Sequence, residues 1–148
     1  MGLALLDSSS VVGYLDADDL LHDDAVAKVE GAVRAGSGLA ISAITWTELL
    51  HGAAVGHRAE RAIRELATDL GIAILPVDTA VAERAAALQG EYARRSPAGR
   101  ARRLKTPDAL ILATADVAAD VDTVICGDDR WPKVPGARPQ IVLVRERR

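Results

Sequence analysis

The sequence predicts an α/β fold, a three-layer α/β/α sandwich around a mostly parallel central sheet of four to five strands. Three observations carry this. Short, largely apolar runs at Leu3–Leu6, 39–42, 72–77, 123–126 and 141–144 read as strands, the first of them buried on both faces. Segments with helical spacing separate them, so strands and helices alternate along the chain. The length of 148 residues, 49% hydrophobic and 26% charged, fits one globular domain spanning 1–148.

The first run ends in Asp7-Ser8-Ser9-Ser10, after which Val11, Val12, Tyr14 and Leu15 resume apolar spacing. Asp7 therefore falls between a strand's carboxyl end and a helix start, where open α/β sheets place ligands. Helix capping explains Asp7 and the serines equally well. Asp18 and Asp19 open a second helical stretch, carried by Leu21, Ala25, Val26, Val29 and Val33 and closed by Gly36-Ser37-Gly38. After the strand at 39–42, Thr45 and Glu48 have the spacing of a capping box, in which the glutamate reaches back to the cap's own N–H. The competing reading has Glu48 pointing across the carboxyl edge of the sheet.

Residues 58–70 are amphipathic and stop at Gly71, and the strand at 72–77 follows. Asp78 then reads as the N-cap of an alanine-rich helix from Thr79 to about Arg95, and 96–100 as a loop. In Leu104-Lys105-Thr106-Pro107-Asp108, Thr106 suits an N-cap and Pro107 the first helical position, which puts Asp108 in the first turn. The residues after it, Ala109-Leu110-Ile111-Leu112-Ala113, are apolar on nearly every side, as in a helix sunk into the core. On the simplest reading Asp108 only offsets the helix dipole. The strand at 123–126 runs into Gly127-Asp128-Asp129-Arg130-Trp131-Pro132, where both aspartates are ordinary turn residues, and the run at 141–144 is expected at an edge.

Composition narrows the chemistry. A single cysteine, Cys126, excludes an internal disulfide or a multi-thiolate zinc site and makes a reducing cytoplasm the expected home. His22, His51 and His57 form no ligand pattern. No apolar run approaches the roughly 18 residues of a membrane span, and no basic region precedes the first apolar residues, so neither a membrane nor export is expected. The net charge of -3 argues against a protein that coats nucleic acid, but Arg94, Arg95, Arg100, Arg102, Arg103 and Lys105 form a basic segment without an acid, while Asp16, Asp18, Asp19, Asp23 and Asp24 gather elsewhere. With 3% aromatic residues and no phenylalanine, base stacking is a poor route to RNA, which leaves shape and backbone contacts.

Asp7, Glu48, Asp108 and Asp128 each have a structural explanation, yet all four fall at the carboxyl end of a strand or the opening of the next helix. One site explains them more simply than four coincidences. Carboxylates brought together repel unless a cation lies among them, and an all-oxygen donor set favours Mg²⁺ or Mn²⁺. Such a cation suits phosphodiester hydrolysis, with the basic segment ahead of Asp108 holding flanking phosphates.

Leu5-Leu6-Asp7-Ser8-Ser9, Thr47-Glu48-Leu49-Leu50-His51-Gly52, Thr106-Pro107-Asp108-Ala109-Leu110-Ile111-Leu112-Ala113-Thr114-Ala115 and Cys126-Gly127-Asp128-Asp129-Arg130-Trp131 together resemble the acidic motifs of PIN domains, in order and at similar spacing, over essentially the whole chain. Within that family the resemblance is to the VapC type of toxin ribonuclease. It implies a PIN-like fold and a Mg²⁺- or Mn²⁺-dependent endoribonuclease, homodimeric and neutralised by a VapB-like antitoxin. By the same match Asp7, Glu48 and Asp108 are the core metal-holding catalytic acids and Asp128 the fourth. The chain departs from the family at Cys126-Gly127-Asp128-Asp129, so that Asp129 is a substitute for Asp128. Ser8 and Ser9, with Arg102, Arg103 and Lys105, are the candidate substrate contacts. The expected products are a 5′-phosphate and a 3′-hydroxyl.

Two other classes compete. A receiver-like or haloacid-dehalogenase-like phosphoryl-transfer domain uses a similar sheet, but the first strand lacks Asp-x-Asp and Glu48 would have no purpose. A catalytically silent RNA-binding PIN module is the other alternative.

Overall fold

The computed structural model describes residues 2–56, 58–95 and 103–146. Among these residues five strands, β1 (Leu3–Leu6), β2 (Gly38–Ser42), β3 (Ala73–Leu75), β4 (Val121–Cys126) and β5 (Gln140–Leu143), form one sheet in the order β3-β2-β1-β4-β5. Every pairing is parallel. The expectation of a mostly parallel sheet is thus met by a wholly parallel one, with β5 at an edge.

Among the described residues six α-helices cover it: α1 (Ser8–Leu15), α2 (His22–Arg34), α3 (Ala43–Ala54), α4 (Glu60–Asp69), α5 (Thr79–Arg95) and α6 (Thr106–Val117). Because side chains alternate along a strand, β1 feeds two cores. Leu5 packs with α5 and α6 through Val81, Leu88, Ile111 and Leu112, while Ala4 and Leu6 pack with Val11, Val29, Leu49 and Ile63 on the opposite face. Ala109 and the run from Ile111 to Ala115 are all buried, so α6 is the submerged helix its composition requires.

Strand order reverses around β1: the chain passes from β1 outward to β2 and β3, then crosses back to β4 and β5. That reversal opens a crevice at the carboxyl ends of β1 and β4. Register fixes its floor, since Leu6 lies opposite both Ile41 and Ile125 and the Asp7 N–H donates to the Ile125 carbonyl at 3.1 Å.

Three local expectations are corrected. The second helix begins at His22 rather than at Asp18, because the Asp16 carboxylate accepts from the Asp18 N–H and that of Asp19 from the Leu21 N–H, holding 16–21 in turns. The N-cap of α6 is Lys105, whose extended backbone (φ -64, ψ 147) leaves Thr106 inside the helix. The Thr106 hydroxyl instead accepts from Gln89 Nε2 at 3.2 Å. The third correction, at Thr45, bears on the site. Asp78 does cap α5, accepting from the Val81 N–H at 3.0 Å. The loop expected at 96–100 and the cations Arg100 and Arg102 lie outside the described residues.

A clamp that no sequence motif announces secures the far end of α6. Asp116 accepts from the Arg84 guanidinium and from the Arg138 N–H, and Arg138 Nη2 donates to the carbonyls of Ala115, Ala118 and Val121 at 3.1, 2.9 and 2.6 Å. Ala115 lies in the last turn of α6, where a helix end leaves carbonyls without an intrahelical partner, Ala118 is the C-cap and Val121 opens β4, so Arg138 ties the helix end to the strand that follows.

Candidate active site

Asp7 is 5% exposed and caps α1, its Oδ1 accepting from the Ser10 N–H at 2.8 Å. Its Oδ2 accepts from Ser9 Oγ at 2.8 Å and from the Gly127 N–H at 3.2 Å. Capping and site placement are therefore two aspects of one geometry. Burial pushes the carboxyl above the usual aspartate range although all these hydrogen bonds favour the ionised form.

Glu48 reaches the crevice because α3 starts earlier than the capping-box spacing implies. β2 ends at Ser42, whose extended backbone and hydroxyl make it the cap, accepting from the Ile44 N–H at 3.2 Å. Thr45 is then inside the helix, wholly buried, with its hydroxyl unpartnered among the described residues. Glu48 lies a turn further on, exposed, and its Oε1 accepts from Ser8 Oγ at 2.9 Å.

Asp108 stands half-buried in the first turn of α6. Burial first, then the charges of Asp128 and, less strongly, Glu48, push its carboxyl up, against the pull of Arg130 and Lys105. Asp128 follows β4 and takes the Arg130 fork, with Nε at 2.9 and 3.1 Å from its two oxygens and Nη2 also bonded; this guanidinium holds its carboxyl below the usual range. Asp129 is exposed on the rim.

All five carboxylates line one cleft of about 420 Å³, with Ser8, Ser9 and Gly127 beside them and the buried Ile111 and Trp131 contributing apolar wall. A larger groove of about 750 Å³ runs between α2 and β5, but Asp24, Lys28, Arg145 and Glu146 mix the signs of charge there and no like set converges. Arg103 and Lys105 are exposed ahead of Asp108, and Arg102 lies outside the described residues. Cys126 is no nucleophile: burial, then the Asp7 charge, push its thiol up to about 12.

Among the described residues no three His, Cys, Asp or Glu side chains are grouped so as to hold an ion. Three of the carboxylates are instead turned toward partners within the chain, Asp7 to Ser9, Ser10 and Gly127, Glu48 to Ser8, and Asp128 to Arg130. The donor chemistry fits a hard dication, since the set is all oxygen and Asp108 is disfavoured by its acidic neighbours. Sequence reasoning missed Gly127 in the wall of this cleft and Arg130 against its acids Asp108 and Asp128. The available signal was their place, immediately after a strand that ends beside Asp7.

The fold and the site thus define an α/β domain with an acidic cleft at the switch point of a parallel sheet. The PIN domain family matches residues 4–137, and the chain belongs to that family. This sets aside the phosphoryl-transfer alternatives. A search of curated proteins gives no significant match. Among solved structures, a toxin-antitoxin complex from Klebsiella pneumoniae contains a chain 29% identical with TM-score 0.66, covering 97% of this chain and 99% of that one. VapBC2 from Rickettsia felis bound to a promoter DNA fragment is similar at 17% identity and TM-score 0.70, with 97% and 99% coverage. DNA-bound VapBC from Salmonella typhimurium is similar at 20% identity and TM-score 0.68, with 98% and 100% coverage. The last two share the fold. No helix among the described residues is long and apolar enough to cross a membrane.

Proposed function

We propose that this protein is a VapC-type toxin endoribonuclease, which hydrolyses RNA phosphodiester bonds with Mg²⁺ or Mn²⁺ and is neutralised by a VapB-like antitoxin. The observation that carries the reading is the convergence of Asp7, Glu48, Asp108, Asp128 and Asp129, from four separate stretches of chain, on one cleft. Asp7, Glu48, Asp108 and Asp128 would hold the cation, with Asp129 as the substitute for the fourth. A dication there supplies Lewis-acid chemistry, making water a better nucleophile and offsetting charge on the phosphoryl group.

The chain's own residues supply position. Asp7 is fixed by three donors and buried, so its oxygens have little freedom. Ser8 orients Glu48. Ser9 lines the cleft beside Asp7, to which its hydroxyl donates, and would turn that proton to a phosphate oxygen when substrate is bound. Lys105, close enough to act on the charges of Asp108 and Asp128, and Arg103 would engage flanking phosphates with Arg102. The products are a 5′-phosphate and a 3′-hydroxyl. Support for the antitoxin comes from the solved toxin-antitoxin complexes, the family resemblance adds a homodimer, and the single cysteine fits a reducing cytoplasm.

Incubating the protein with total RNA and mapping the new ends tests this. Cleavage with Mg²⁺, lost in EDTA and in Asp7→Asn and Asp108→Asn variants, is expected. Undiminished cleavage in EDTA would refute the mechanism, and a folded, metal-binding protein that cuts no RNA would leave the silent-module reading in its place.

A further inference from the structure

Arg130 lies against two acids of the cleft, Asp108 and Asp128, in a way the nuclease reading does not require. Its N–H donates to Asp128 Oδ1 at 2.9 Å, closing a tight turn, and its guanidinium engages both Asp128 oxygens. The same Nη2 lies 3.8 Å from Asp108 Oδ2. One planar cation thus spans two carboxylates that arrive from different segments and repel each other.

Asp108 and Asp128 are two of the acids that would hold a dication, and Arg130 already lies against both. Guanidinium and metal therefore compete for the same carboxylates, because the fork already engages both Asp128 oxygens. We propose that Arg130 is a resident counter-cation of the cleft and that a divalent metal enters by displacing it; this rests on the metal-dependent reading above. The exchange needs no backbone movement. The Arg130 side chain is 33% exposed, and rotation about its own bonds carries the guanidinium to solvent while the N–H bond to Asp128 keeps the turn. Metal affinity is consequently weaker than the number of acids implies, and the metal-free cleft is partly neutralised.

Mn²⁺ calorimetry on the full chain tests this with unsubstituted protein, Arg130→Gln and Asp7→Asn, each checked by circular dichroism. Arg130→Gln is expected to bind Mn²⁺ about two- to fivefold more tightly, the range of one partly exposed charge pair, and Asp7→Asn to lose binding. An independent readout on unsubstituted protein is the Arg130 Nε–H resonance, which should shift in step with Mg²⁺ binding. Binding by Arg130→Gln that is unchanged or weaker, or a resonance unmoved at saturating Mg²⁺, would overturn the exchange and leave the nuclease reading standing. No binding by either the parent or Arg130→Gln would remove the metal-dependent reading itself, and the exchange with it.

Discussion

Ser8 Oγ donates to Glu48 Oε1 at 2.9 Å, joining the start of α1 to the second turn of α3 across 40 residues of sequence. The bond is exposed, so it adds little to stability; its effect is to aim a carboxylate that would otherwise sample solvent. Ser8→Ala should therefore leave the denaturation midpoint nearly unchanged, a loss of about 0.5 kcal/mol or less. Mn²⁺ affinity in the same variant should fall roughly tenfold, as is usual when the group orienting a ligand is removed. Chemical denaturation and calorimetry on one preparation separate the two effects.

Asp7 both caps α1 and faces the cleft, and two substitutions divide those roles. Asp7→Asn keeps an acceptor for the Ser10 N–H and removes a buried charge, so stability should stay within about 1 kcal/mol of the parent. Asp7→Ala strips the cap and leaves the Ser10 and Gly127 N–H groups without their carboxylate, a cost of about 1–3 kcal/mol. Both should abolish metal binding. Urea midpoints for the pair give the difference.

The raised Asp108 carboxyl gives stability a definite pH dependence. Its folded value lies above its unfolded value, so the folded state holds more protons between the two, and metal-free stability falls as pH rises through that window and stays lower above it. Asp108→Asn removes this cost. In EDTA at neutral pH the variant should be the more stable protein by about a few tenths of a kcal/mol once solvent screening is counted. The gap should close as pH drops toward about 4, and saturating Mg²⁺ should reverse the order by stabilising only the parent. Melting temperatures across pH, with and without Mg²⁺, measure all three.

At Gly127 the constraint is close approach rather than a left-handed backbone. A Cβ there would lie 2.6 Å from Ser9 Oγ and 3.1 Å from Leu21 Cδ1, so Gly127→Ala must push Ser9 away from Asp7. Overpacking of this kind costs roughly 1–3 kcal/mol. Adding Ser9→Ala should recover part of that loss, because the nearest clashing atom is gone. Thermal melts of the single and double variants check the recovery.

Residues whose local chemistry and tertiary position agree were legible in the sequence. The run Leu3–Leu6 followed by an acid, and an apolar helix headed by Asp108, could each be read in isolation, and folding brought them to the same crevice. Thr45 shows where such reading stops. Its spacing to Glu48 is that of a capping box, but the end of β2 hands the cap to Ser42, and only the strand's register decides this. The Arg130 fork and the Arg84–Asp116–Arg138 clamp were illegible for a different reason. Charged residues in a turn read as solvated until their partners' positions are known, and Asp108 lies 22 residues from Arg130.

The most direct measurement is anomalous diffraction from crystals soaked in Mn²⁺. A peak within bonding distance of Asp7 and Asp108, with Glu48 or Asp128 turned to join them and Arg130 withdrawn, is the predicted result. Mn²⁺ bound only elsewhere on the molecule, with the Arg130 fork still closed on Asp128 at saturating metal, would contradict the account.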